Sequence, residues 1–67
     1  MDLANILYNY DNEINSKIVD SDKSISLKSE IITSITENSM TPLYESLCIK
    51  YRWQIDEELT IAMKYVH

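Results

Sequence analysis

The 67-residue chain contains no glycine. Average usage of ~7% would place about five in a chain of this length. Their absence removes every device built on a residue that tolerates positive φ or close backbone approach. The P-loop, the dinucleotide fingerprint, the nucleophile elbow and the primed two-residue hairpin turns are all excluded. A strand in such a chain has no hairpin partner in view, and a lone strand is not stable. The chain is therefore expected to be all-α. At 7.8 kDa it is expected to be one small helical segment, 1–67, without a second domain. A chain this short buries only ~60% of the surface it exposes when unfolded, so the core is expected to be marginal.

Periodicity and punctuation divide the chain into about four short helices, over residues 2–18, 25–39, 42–51 and 56–67. In the first, Leu3, Ile6, Leu7, Tyr10, Ile14 and Ile18 recur at steps of three and four and form one apolar stripe. Asp2 suits the N-cap, and Asn9, Asn12 and Asn15 weaken the second half. The stretch from Val19 to Ser24 is dense in Asp and Ser and reads as the inter-helix loop. In the second segment Leu27, Ile31 and Ile35 stand four apart, although Ile25, Leu27, Ser29 and Ile31 also alternate as a strand would. Helix is preferred because the uninterrupted run is far longer than a usual strand of ~5–6 residues.

The third helix carries the clearest start signal, with Thr41 as cap and Pro42 at the first helical position. Leu43, Tyr44, Leu47, Cys48 and Tyr51 make its apolar face. Arg52-Trp53-Gln54 is expected to break the helix, and Asp56 to restart it, with Glu57 and Glu58 facing the positive helix end. Ile55, Leu59, Ala62, Met63 and Val66 are expected to form the apolar face of the last helix, which is still running at His67.

Chemistry-bearing constellations are sparse. Asp20-x-Asp22-x-Ser24 opens like a calcium loop, but the sixth position is Ile25 rather than Gly and the twelfth is Ile31 rather than Glu. Asp56-Glu57-Glu58 are adjacent on a helix and point apart, so they read as a cap and dipole partners rather than as an acid/base pair. With one Cys and one His, the chain lacks the ligands for a zinc site and a convincing nucleophile–base pair. No enzyme activity, metal or cofactor is expected. Six basic against eleven acidic residues give a net charge of −5, which argues against nucleic-acid binding. No apolar run approaches the ~20 residues that span a bilayer, and no membrane association or signal peptide is expected. The single cysteine rules out a disulfide framework and suits an intracellular protein.

The residues of interest are Tyr44, Leu47, Tyr51, Arg52, Trp53 and Ile55, grouped within twelve positions. Tyr, Trp and Arg are enriched at interface anchors, so the group reads as partner-interface anchors or as core anchors. The core role is favoured for Trp53, because a small core without Phe needs its large aromatics inside.

The run Asn38-Ser39-Met40-Thr41-Pro42-Leu43-Tyr44-Glu45-Ser46-Leu47-Cys48, followed by Trp53-Gln54-Ile55-Asp56 and by Leu59 and Met63, resembles a known family. It is similar to the N-terminal region of the 26S proteasome non-ATPase regulatory subunit 6 family, lid subunits of the PCI-domain class. That family carries a Met-Ala-Pro-Tyr-Tyr-Glu-x-Leu-Cys motif and then a Trp-Gln-Ile-Asp helix start. Met40, Pro42, Tyr44, Glu45, Leu47 and Cys48 match the first part, and Trp53 to Asp56 the second; Thr41 stands for the usual Ala and Leu43 for the first Tyr.

The resemblance implies the front of a helical-repeat, tetratricopeptide-like subunit that continues into a PCI domain. It implies a non-catalytic scaffold role in ubiquitin-dependent degradation, in the cytoplasm and nucleus. The implied partners are other lid and base subunits, within a large hetero-oligomer. A different reading of the short chain is a free-standing helical regulator that plugs another large assembly, such as the ribosome.

Overall fold

The computed structural model describes the backbone of residues 2–65 and the side chains of residues 2–63. Four helices follow one another, α1 (Leu3–Ile14), α2 (Ser21–Glu37), α3 (Thr41–Tyr51) and α4 (Glu57–Tyr65), with no strand among the described residues. The all-α expectation holds. The chain forms two compact units, Met1–Ser34 and Ile35–His67, so their division falls inside α2.

In the first unit, α1 starts where the sequence places it. Asp2 caps it, its Oδ1 accepting the Asn5 N–H at 2.9 Å. Ile6 and Tyr10, four apart, are its buried positions. The helix ends at Ile14 rather than residue 18. Asn15 turns its side-chain amide back onto the Asp11 carbonyl at 2.8 Å, and the Ser16 hydroxyl donates to the Glu13 carbonyl at 3.0 Å. The Asn15 amide doubles the bond that its own N–H makes to Asp11, and the Ser16 N–H and hydroxyl together take the Glu13 carbonyl that the next turn would have used. Ile18, expected on the apolar stripe, is 88% exposed.

The expected loop over Val19 to Ser24 is mostly helix. Asp20 caps α2, accepting the Lys23 N–H on Oδ1 at 3.2 Å and the Ser24 N–H on its carbonyl at 2.9 Å. Asp22 stands in the first turn, where its charge complements the helix dipole. Glu13 ties the two helices together: Oε1 accepts the Asp20 N–H at 2.9 Å and Oε2 lies 3.7 Å from Lys23 Nζ. The Asp and Ser residues that read as loop chemistry are here cap chemistry. The calcium-like spacing is a helix start.

The 17-residue α2 holds Ile31 and Ile35 fully buried on one face, and the alternating strand pattern is not used. Its end is a Schellman closure, with Met40 N–H on the Ile35 carbonyl at 3.0 Å and Ser39 N–H on that of Thr36 at 3.2 Å. Ser39 takes the left-handed position at φ 51°, usually a glycine site, and its enclosed hydroxyl makes no hydrogen bond.

In the second unit Met40, not Thr41, stands at the N-cap of α3, without a side-chain cap bond, and Pro42 lies in the first turn. Each expected position is displaced by one because Met40 serves both helices. Its N–H closes α2 while its carbonyl accepts the Tyr44 N–H at 3.0 Å. No extended residue is left between the helices for Thr41 to occupy. Proline in the first turn loses nothing, since that amide has no intrahelical partner.

α3 ends as expected at Tyr51, with Arg52 left-handed at φ 58° and Trp53 N–H on the Cys48 carbonyl at 3.0 Å. Asp56 caps α4 as expected, its Oδ1 accepting the Leu59 N–H at 3.2 Å. The core of this unit is Ile35, Tyr44, Leu47, Cys48 and Met63. Ile55 and Ala62, expected on the apolar face of the last helix, are exposed. Ile55 precedes the helix and belongs to the connection. Val66 and His67 lie outside the described residues.

Candidate interaction site at the α3–α4 corner

α3 and α4 pack on each other, and the connection between them, Arg52 to Asp56, is held at both ends. At its start the Trp53 N–H closes α3 onto Cys48. At its end the Asp56 N–H donates to the Tyr44 phenol oxygen at 2.9 Å. Tyr44 is 2% exposed, and it places its ring in the core while its oxygen reaches the backbone of the connection. Burial raises its pKa above the ordinary 10.0, because a phenolate there loses its hydration. The Asp56 N–H opposes this by favouring the anion, while the hydrogen bond to Cys48 and the charge of Asp56 push upward again.

Beside the pinned connection is a small stack. The Tyr51 and Trp53 rings lie 5.2 Å apart at 30°, and Lys50 Nζ sits 5.2 Å from the Tyr51 ring centroid. Both rings are half-buried. Arg52 is exposed, and Ile55 keeps 47% of its surface open.

The six sequence-selected residues therefore divide three ways. Tyr44 and Leu47 are core, Tyr51 and Trp53 straddle the boundary, and Arg52 and Ile55 face outward. Asp56, Glu57 and Glu58 are all exposed at the start of α4. Around them Gln54 to Glu58 line an open depression of about 620 Å³. Cys48 is 3% exposed, a packed side chain on the core face of α3. Among the described residues no three His, Cys, Asp or Glu side chains converge on a point where a metal ion fits. No described helix is long and apolar enough to cross a membrane.

Sequence reasoning passed over Ser39 and Arg52 as backbone positions and Asp20 and Glu13 as the joint between α1 and α2. A signal was present for the first pair. Helices need left-handed closing residues, and a chain without glycine must put other residues there. For Asp20 the signal was an acceptor side chain three residues ahead of an uninterrupted run.

No family model matches the chain, and no solved structure matches it.

Proposed function

We propose that this chain is a non-catalytic docking segment of a proteasome lid subunit, the front of a helical-repeat protein that serves ubiquitin-dependent degradation by holding other subunits. The observation that carries this reading is the two-part run from Met40 to Cys48 and from Trp53 to Asp56. Its matched residues have a shared structural use here. Tyr44 binds the Asp56 amide and Cys48 accepts the Trp53 amide, so the motif's two halves are the two sides of one corner. A motif spent on joining helices suits a scaffold better than a reaction. The exposed aliphatic residues Ile49, Ile55 and Ile61 and the small core suit a module that gains stability from a partner.

Affinity purification of the tagged chain from cells of its source tests the proposal. Lid subunits, identified by mass spectrometry and absent from a tag-only control, are the expected result. Recovery of ribosomal proteins in their place supports the plug reading instead, and recovery of neither ends the lid assignment.

A further inference from the structure

We infer that the joint between α2 and α3 is a two-state switch, exchanging the observed closure for a second one that lies one residue further on. In the observed closure Ser39 is left-handed and Met40 is the N-cap of α3. In the second, Ser39 is helical and Thr41 is the N-cap. The exchange belongs to the joint itself and is independent of the docking role proposed above.

Three consecutive residues hold conformations that do not suit them. Ser39 stands at φ 51°, where a Cβ is crowded, and its enclosed hydroxyl has no hydrogen-bond partner. Met40 occupies the N-cap of α3 and makes no side-chain cap bond. Thr41 is already helical although Pro42 follows it, and a proline ring disfavours the helical conformation in the residue before it. Moving the boundary by one residue relieves all three.

The move costs no backbone hydrogen bond at the end of α2. At present the Ser39 N–H donates to the Thr36 carbonyl at 3.2 Å and the Met40 N–H to that of Ile35 at 3.0 Å. One more helical residue exchanges the two acceptors. Ser39 then donates to Ile35 and Met40 to Thr36, both ordinary bonds four residues back. A helical Ser39 also brings its hydroxyl within reach of the Ile35 carbonyl. Thr41 becomes extended, as a residue before proline prefers, and its hydroxyl accepts the Tyr44 N–H. That amide now donates to the Met40 carbonyl at 3.0 Å. Met40 is an exposed residue, so water takes the carbonyl that is released.

Packing opposes this local preference. Ile35, Tyr44 and Leu47 are buried together in the core of the second unit, and shifting the start of α3 disturbs their fit. Local chemistry favours the second closure and the core favours the first, which sets the second as a minor state of about 1–10%. Tyr44 carries the exchanging amide and also the phenol that holds Asp56, so the state of the joint reaches the α3–α4 corner.

NMR relaxation dispersion on the isotopically labelled chain tests the switch. The amides of Ser39, Met40, Thr41 and Tyr44 should share one exchange process. The minor-state Cα shifts should be helical at Ser39 and extended at Thr41. Thr41→Ala should cut the minor population about fivefold, the worth of a typical N-cap, and Thr41→Ser should retain it. Ser39→Gly should cut it about tenfold by relieving the observed closure and weakening the helical one. Unchanged circular dichroism confirms that each variant is folded.

Absence of exchange at these four amides in the parent chain overturns the inference. Coil-like minor-state shifts at Ser39 do the same, because they report fraying of α2 in place of a second closure. A minor population that is unmoved by Thr41→Ala, or equally reduced by Thr41→Ser, also overturns it.

Discussion

The phenol oxygen of Tyr44 accepts the backbone N–H of Asp56 at 2.9 Å, across a sequence separation of 12. One side chain on α3 thereby sets the position from which α4 begins, because Asp56 is also the residue that caps α4. The ring and the oxygen of Tyr44 have separable roles, and substitution can tell them apart.

Tyr44→Phe keeps the ring and removes the acceptor, and should lower stability by about 0.5–1.5 kcal/mol. Tyr44→Ala also empties a core site and should cost about 3–5 kcal/mol. Urea denaturation followed by circular dichroism measures both. Equal losses for the two variants mean that the bond, not the packing, dominates.

The raised pKa of Tyr44 has a sign that alkaline titration checks. The buried phenol holds its proton more tightly than the unfolded chain does. Its contribution to stability is complete below the unfolded value near 10 and is lost as pH rises from there through the folded value. Absorbance titration at about 295 nm should show a late-ionising tyrosine that is missing in Tyr44→Phe. Alkaline loss of stability should likewise be shallower in that variant. An identical alkaline profile in the two proteins contradicts the assignment.

The left-handed residues Ser39 and Arg52 stand where glycine is usually preferred. Arg52→Gly should stabilise the second unit by about 1 kcal/mol, the steric cost of that conformation less glycine's greater unfolded freedom. Ser39→Gly also removes an enclosed hydroxyl without a partner and should gain about 1–2 kcal/mol. Thermal melts of both variants test this. Destabilisation by either glycine means that the side chain it replaces makes a contact worth more than the strain.

Asp20→Ala removes the α2 cap and should cost about 0.5–2 kcal/mol. Backbone chemical shifts should report loss of helix at Ser21 to Ser24 with the rest of α2 intact. Unchanged shifts there show that Glu13 alone anchors the joint.

Trp53 lies half-buried against Tyr51, so Trp53→Ala should destabilise by less than Tyr44→Ala, about 1–3 kcal/mol. It is the sole tryptophan, and its emission should shift to the red on unfolding by a modest amount. A loss as large as that of Tyr44→Ala places the indole fully in the core.

Some features of this protein follow from local chemistry alone, and the sequence suffices for them. The absence of glycine with its hairpin turns, the spacing of Ile6 and Tyr10, and the spacing of Ile31 and Ile35 specify helices without reference to anything distant. Asp2 and Asp56 cap helices because the acceptor and the amide it binds are three residues apart.

What the tertiary structure decided are the cases where one residue type serves two ends equally well. Asp and Ser satisfy loop backbone and helix starts by the same hydrogen bonds, so Val19 to Ser24 read as loop, whereas Asp20 caps α2, Glu13 receives its amide and the helix begins at Ser21. An aliphatic residue near a helix start is equally apolar inside or outside the core. Ile55 was placed outward only when Tyr44 took the Asp56 amide and α4 began at Glu57. Short-range geometry is written in residue spacing, whereas the choice between two locally equivalent partners is made by whichever group the rest of the chain brings within hydrogen-bonding distance.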